Sequence, residues 1–260
     1  MIRSLWTAAS GMAAQKLNMD VIANNLANVN TSGFKKSRGD FVDLLYQNLR
    51  SPGAATSSGG QVPTGIQVGM GTKPVSVQKI FSQGDYVETK NSLDIAIEGK
   101  GFFKVLSAGE EMYMRSGAFK SDSEGYIVTS EGDRLQPEFS IPAEAINFSV
   151  DPGGNMVALD ADGGELASGQ LSLHSFTNPA GLLSVGGNRF IPTEASGDPV
   201  EGNPGIDGMG TVAQGYLEMS NVDVVEEMVN MIAGQRAYEV ASKSIKAADE
   251  MLQMANNIRR

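Results

Sequence analysis

The stretch Leu5-Trp-Thr-Ala-Ala-Ser-Gly-Met-Ala-Ala-Gln-Lys-Leu-Asn-Met-Asp-Val-Ile-Ala-Asn-Asn-Leu-Ala-Asn-Val29 decides how this chain folds. Counting from Met1, the residues Met1, Leu5, Ala8, Met12, Gln15, Met19, Ile22, Leu26 and Val29 follow one another at alternating intervals of four and three. That is the apolar seam of a coiled coil, with Gln15 its one polar member. So narrow a stripe buries too little surface to hold a lone helix in water, and the helix needs partners. The far end of the chain has the same construction. Val224, Met231, Tyr238, Ile245 and Leu252 recur every seven residues, with Ala241, Ala248 and Ala255 at the small positions beside them. The assembly interface expected from these ends comprises Leu5, Met12, Met19, Ile22, Asn24, Asn25, Leu26, Asn28 and Val29 in the first helix, and Val224, Met228, Met231, Tyr238, Ile245 and Leu252 in the last. The asparagines Asn24, Asn25 and Asn28 sit where Ala or Leu would favour helix more. They are either helix-surface polarity near a fraying end or hydrogen bonds between packed subunits that specify register.

Working outward, the first helix is predicted from about Ser4 to Val29, stopped at Asn30-Thr-Ser-Gly33 where glycine can take the left-handed conformation. A short helix is expected next, because Phe41, Leu44, Leu45 and Leu49 share a helical face and Asp40 is placed to cap it. Composition then changes abruptly: all ten prolines and 27 of the 31 glycines fall between residues 51 and 215, which nearly excludes helices there. Residues 51–71 read as an extended or flexible arm. Short strands between turns follow, around Val75/Val77, Leu93/Ile95/Ile97, Phe102/Phe103/Val105, Tyr126/Ile127/Val128, Ile146/Phe148/Val150, Met156/Val157/Leu159 and Leu171/Leu173. The last helix is expected to start near Ser220-Asn221, with Ser220 and Asp223 resembling a capping box, and to run almost to Arg260. Gly234 is its one interior glycine and reads as a local weak point, a hinge or a place of close helix approach. The expected class is α+β: long N- and C-terminal helices (1–33 and 219–260) forming a coiled-coil-like domain, a short helix plus extended arm (34–71), and an all-β middle domain (72–218).

Charge and composition remove several classes of function. Cysteine is absent, and with it disulfides, thiolate nucleophiles and Cys-based metal sites. The single histidine, His174, lies in the alternating run Leu171-Ser-Leu-His-Ser-Phe176 and reads as a strand residue without chemistry. The net charge of −10 is uneven: residues 1–50 carry +3, residues 51–217 carry −11 and residues 218–260 carry −2. An acidic middle argues against nucleic acid, and Lys35, Lys36 and Arg38 are too short a run for a basic arm. No apolar run approaches the length of a membrane span. Ser4, Thr7, Ser10 and Gly11 interrupt the apolar N-terminus, so a cleaved signal peptide is not expected.

No motif carries catalysis. Gly99-Lys-Gly101 has part of a phosphate loop, but Phe102-Phe103 continue a strand where a helix would be required. Asp160-Ala-Asp162-Gly-Gly-Glu165 lacks the ligand order of a calcium loop and reads as a polar turn. No pair of carboxylates stands out as a hydrolase dyad. No cofactor, metal or small-molecule substrate is expected.

Asp20-Val-Ile-Ala-Asn-Asn-Leu-Ala-Asn-Val-Asn-Thr-Ser-Gly-Phe-Lys-Lys36 closely resembles the N-terminal signature of the bacterial flagellar rod and hook proteins. Asn91-Ser-Leu-Asp-Ile-Ala-Ile-Glu-Gly-Lys-Gly-Phe-Phe103, Arg115-Ser-Gly-Ala-Phe119, Gly215-Tyr-Leu-Glu-Met-Ser-Asn-Val-Asp-Val-Val225 and Gln235-Arg-Ala-Tyr-Glu239 are similar to further blocks of that family, in the same order. Length and arm, with Leu44, Tyr46, Pro52, Pro63, Gly65, Gly69 and Gly71 as its marked residues, resemble the members that build the distal rod, with a proximal rod subunit of comparable length as the rival.

The resemblance implies a non-enzymatic axial subunit that polymerises into a helical tube and transmits torque from motor to hook. Its partners would be copies of itself, other rod proteins, the hook or a hook-rod adaptor, the surrounding periplasmic and outer-membrane rings, and the flagellar type III export apparatus. The implied location is the basal-body rod in the periplasmic space. The arm, residues 44–71, would stiffen the tube. A cell-wall hydrolase is the competing class, and a secreted β-rich adhesin would explain the middle of the chain but not its matched ends.

Overall fold

The computed structural model describes residues 2–53, 63–206 and 208–258. Met1 of the seam, the centre of the arm (54–62) and the last two residues of the expected C-terminal helix lie outside that set. The chain divides into two compact units, one made of 1–26, 37–78 and 224–260, the other of 27–36 and 79–223. The boundaries differ from those expected at 33/34, 71/72 and 218/219. The residues that follow the first helix and precede the last belong to the β-rich unit.

In the first unit, helix α1 spans Ile2–Ala27. Its Ala, Leu and Met content and lack of proline favour helix throughout. Helix α2 spans Val224–Ile258 and carries Glu226 and Glu227 in its first turn, where the helix dipole favours negative charge. It starts later than expected, and the Ser220 capping box does not form. Ser220 Oγ is buried without a hydrogen-bond partner. Asn221 accepts a hydrogen bond from Lys36 N (2.7 Å) and donates to Ile80 O (2.9 Å), which commits this segment to tertiary contacts.

The short helix expected around residues 40–50 is absent. The chain instead forms strands β1 (Ser37–Asp43) and β2 (Tyr46–Arg50), then β3 (Ile66–Gly69) and β4 (Thr72–Lys79). β1 pairs with β4, and β2 with β3. A helix here would need a surface against which to bury its leucines, yet Leu45 is 87% exposed. Strand pairing satisfies the backbone without that burial. Asp40 accordingly caps nothing and accepts from Arg38 Nε and Ser76 Oγ, each at 3.2 Å.

The second unit holds most of the core. A seven-stranded antiparallel sheet runs in the spatial order Leu183–Gly186, Arg189–Ile191, Glu110–Met114, Phe103–Ser107, Arg134–Gln136, Ile127–Val128 and Lys120–Ser121. A three-stranded sheet (Asn147–Val150, Asn155–Leu159, Glu165–Gln170) and three two-stranded pairs complete it. The alternating runs read from the sequence supply much of its interior: Ile95, Ile97, Phe103, Val105, Ile127, Met156, Leu171 and Leu173 are all buried in one cluster. A second cluster packs Phe102, Tyr113, Phe176, Leu182 and Phe190 edge to face, with ring centroids 4.9–6.1 Å apart. His174 lies beside it in strand Leu173–Ser175, 5.3 Å from the Tyr113 ring. Gly33, at φ +69°, could not carry a side chain, since a Cβ would stand 2.5 Å from Ser116 N.

Candidate functional site

The residues expected to assemble lie in the first unit, except Asn28 and Val29, which belong to the second, and they sort by exposure. Along α1, Ile22 is buried, while Leu5, Met12, Met19 and Leu26 are half-buried, as is Val29 in the turn beyond the helix. Trp6, Ala9, Ala13, Lys16 and Asp20 are exposed. Heptad spacing thus identified the less exposed face of the helix. Asn25 is buried and bound inside its own chain: its Nδ2 donates to Ser37 O and its Oδ1 accepts from Ser37 N, both at 2.8 Å. This amide pins the start of β1 to the helix, which differs from the bond between subunits that the sequence allowed. Asn28 accepts from Thr31 Oγ1 at 3.3 Å in the turn that ends α1, and Asn24 is on the exposed side.

Along α2, Val224, Met231 and Ile245 are half-buried, Tyr238 and Leu252 lie just on the exposed side, and Met228 is exposed. The covered row extends beyond the alanines, because Glu227, Gly234 and Ala248 are buried and Ala241 is half-buried at the same interval of seven. Gly234 belongs to this series. A Cβ there would lie 3.3 Å from Met19 Cγ and 3.6 Å from Gln15 Oε1, a tight fit that favours close approach over a hinge or a weak point. A second set of apolar side chains, Val225, Val229, Ile232 and Val240, is 58–70% exposed.

The described ends of the arm form a β-ribbon, with Tyr46 opposite Gly69, Gln47 opposite Val68 and Arg50 opposite Ile66. Its glycines have steric reasons. A Cβ at Gly65 would stand 2.6 Å from Arg50 O and 2.7 Å from the Pro52 ring, and one at Gly69 would stand 3.3 Å from the Tyr46 ring. Gly71, at φ +112°, leaves no room for a Cβ beside Ser10 Oγ of α1, and its carbonyl accepts from Leu44 N at 2.8 Å. Pro63 lies in the bend leading back to β3. Every residue of β2 is exposed, including Tyr46 and Leu49. A lone two-stranded ribbon is marginal in water, so this one needs further cover.

The sequence missed a charged centre in the second unit. Glu218 accepts from Lys35 Nζ and Arg115 Nε, each at 2.6 Å, and from Gly84 N at 2.9 Å. Lys35 also donates to Ser82 O (2.7 Å), and Arg115 donates to the carbonyls of Ile97 (2.8 Å), Gly99 (2.6 Å) and Gly101 (2.5 Å). With Gly33 N on Glu218 O (2.7 Å), these bonds fasten segments 33–36, 82–84 and 218–221 to one another. Burial pulls the Lys35 ammonium below its ordinary range against the Glu218 carboxylate, and the like charge of Arg115 adds to the pull. Burial, with the Glu218 charge beside it, pushes the Tyr86 phenol up to about 12 while its OH donates to Ile97 O at 3.1 Å. Arg115 and Glu218 lie within the family-like blocks, but a pairing across 183 residues, as between Lys35 and Glu218, leaves no local trace.

Among the described residues no cluster of His, Asp or Glu could hold a metal, and no helix is long and apolar enough to cross a membrane. Asp160 Oδ1 accepts from Ala161 N at 2.7 Å within a tight turn.

Three family models match: flagella basal body rod protein over residues 5–35, flagellar hook protein FlgE/F/G D1 domain over 96–158, and flagellar basal body rod FlgEFG protein C-terminal over 213–258. The chain is 48% identical to the flagellar basal-body rod protein FlgG of Borreliella burgdorferi, covering all of both chains. It is 46% identical to the protein of that name from Buchnera aphidicola subsp. Schizaphis graminum and 46% to that of Caulobacter vibrioides, each over 99% of this chain and 100% of the relative. Matched over its whole length and at both helical ends, this chain belongs to the flagellar basal-body rod protein family.

Proposed function

We propose that the chain is an axial subunit of the distal part of the flagellar rod, polymerising into a stiff helical tube that carries torque from motor to hook. It is a structural protein and not an enzyme. The observation that supports an assembling subunit is the apolar surface left open on the first unit, Val229, Ile232 and Val240 on α2 with Leu45, Tyr46, Leu49 and Ile66 on the ribbon, and the distal position rests on the full-length similarity to FlgG. Surfaces of this kind are completed by neighbours. Head-to-tail contacts that do not close give a tube rather than a ring.

In this reading α1 and α2 pair along their heptad faces, a pairing favoured by the approach of Gly234 to Met19, and the pairs pack around a central channel. The ribbon and its arm wedge between neighbouring copies and stiffen the tube. Other rod proteins, the hook or a hook-rod adaptor, and the surrounding rings would be met along its length. Delivery through the flagellar type III export apparatus to the periplasmic rod completes the proposal.

The test is electron microscopy of basal bodies from cells lacking this protein, beside cells in which it is restored. A rod truncated before its distal part, with no hook, is the expected result. A complete rod and hook would overturn the assignment.

A further inference from the structure

The charged centre of the β-rich unit is unbalanced. Lys35, Arg115 and Glu218 are all at least 95% buried, and two cations share the one carboxylate. A third cation is close by: Lys79 Nζ donates to Lys35 O at 3.3 Å and lies over the Phe34 ring, 4.8 Å from its centroid. No carboxylate among the described residues forms an ion pair with Lys79. Uncompensated positive charge out of water is costly, and a nearby anion relieves it.

A cavity of about 230 Å³ opens on this centre. Lys35, Lys100 and Arg115 line it with the hydroxyl-bearing Ser175 and Thr177, and no acidic residue lines it. Lys35 Nζ has three protons and engages two acceptors, Ser82 O and Glu218 Oε1. At roughly 30 Å³ per water the space equals about eight water molecules, enough for a carboxylate side chain and too little for a large organic substrate.

We propose that this cavity receives an Asp or Glu side chain of a second copy of the chain, the ion pair fixing the register between neighbours. Charge complementarity selects that occupant, since residues 51–217 carry twenty acids against nine bases. A buried charge pair between subunits rejects wrong registers more than it adds raw affinity. The inference rests on the rod-subunit reading, which supplies the neighbouring copy.

The test uses carbodiimide, which joins an amine directly to a carboxylate it touches, on isolated basal bodies and on the dilute full-length monomer, with the linked peptides identified by mass spectrometry. The expected product joins the exposed Lys100 to an Asp or Glu of this chain in basal bodies and is missing from the monomer. Lys100→Glu should cut incorporation into basal bodies by about tenfold or more while leaving the melting temperature of the monomer unchanged. Basal bodies with other links between copies but none at Lys100 would overturn the proposal, as would a Lys100 link to a different protein. An acetate titration separates the two sources of carboxylate. A saturable rise in monomer melting temperature that Lys100→Met abolishes, without the link between copies, assigns the cavity to a free anion and overturns docking by a second copy. If basal bodies contain none of this chain, the rod reading fails first and the docking fails with it.

Discussion

The two units of this chain differ in how many of their large apolar residues they bury. In the β-rich unit Ile95, Ile97, Phe103 and Val105 have no exposed surface at all, whereas Leu45 in the ribbon and Val225 in α2 keep 87% and 70% of theirs. One unit is complete as a folded object. The other, in the proposed rod, would be finished by copies of itself. Stability and assembly should therefore be separable by mutation, and the variants that follow test that separation from the largest effect to the smallest.

Ile245→Asp places a carboxylate in the heptad face of α2 and should abolish assembly, read as lost motility and absent distal rod, because the cost of several kcal/mol recurs at every subunit. The β-rich unit should melt as in the parent. Normal swimming would show that the face is wrongly assigned. Glu218→Gln should do the reverse within the other unit. It leaves Lys35 and Arg115 buried without their counter-charge, at a cost of about 3–5 kcal/mol. Calorimetry should register a fall in melting temperature on the order of 10 °C. An unchanged transition would mean that carbonyls alone hold the two cations.

Gly234→Leu should cost about 1–3 kcal/mol by overpacking against Met19. The measurement is the helical signal by circular dichroism, which should drop in the assembled form. A leucine accepted without loss would show that α1 and α2 do not pair at this point. The smallest effect concerns His174, which burial holds below its ordinary value of 6.5; Lys104 adds to that, while Glu201 and Glu111 oppose it. The unfolded chain takes up a proton near pH 6.5 and the folded chain resists it, so this contribution is intact above pH 6.5 and is lost as pH falls below it. His174→Gln should flatten the decline in melting temperature between pH 6.5 and 5. An identical decline in the variant would assign the acid sensitivity to the carboxylates.

Both helices and six strands of the β-rich unit were legible from periodicity alone, since seven-residue spacing and alternation are local signals, whereas strands such as Glu110–Met114 and Thr211–Gln214 show no clean alternation of apolar residues. The segment Phe41-Val-Asp-Leu-Leu-Tyr46 was misread as helix because a short apolar run fits either period, and only the pairing of β1 with β4 decides between them. Gly234 was correctly singled out, but its purpose depended on Met19, more than two hundred residues away. The Lys35–Glu218–Arg115 centre was invisible for the same reason. A lysine beside Lys36 reads as solvated surface until the fold brings Glu218 to it.

The bond from Gly33 N to Glu218 O also bears on the order in which this chain folds. Pairing of α1 with α2 from an open chain would have to close a loop of nearly two hundred residues, an entropic cost of about 4–5 kcal/mol before any contact rewards it. Once the β-rich unit has formed, the end of one helix and the start of the other issue from neighbouring strands of backbone, and the loop is already shut. In the proposed pairing, nucleation between the helices is then a short-range event, and a subunit arriving at a growing tip would zip its ends rather than search for them.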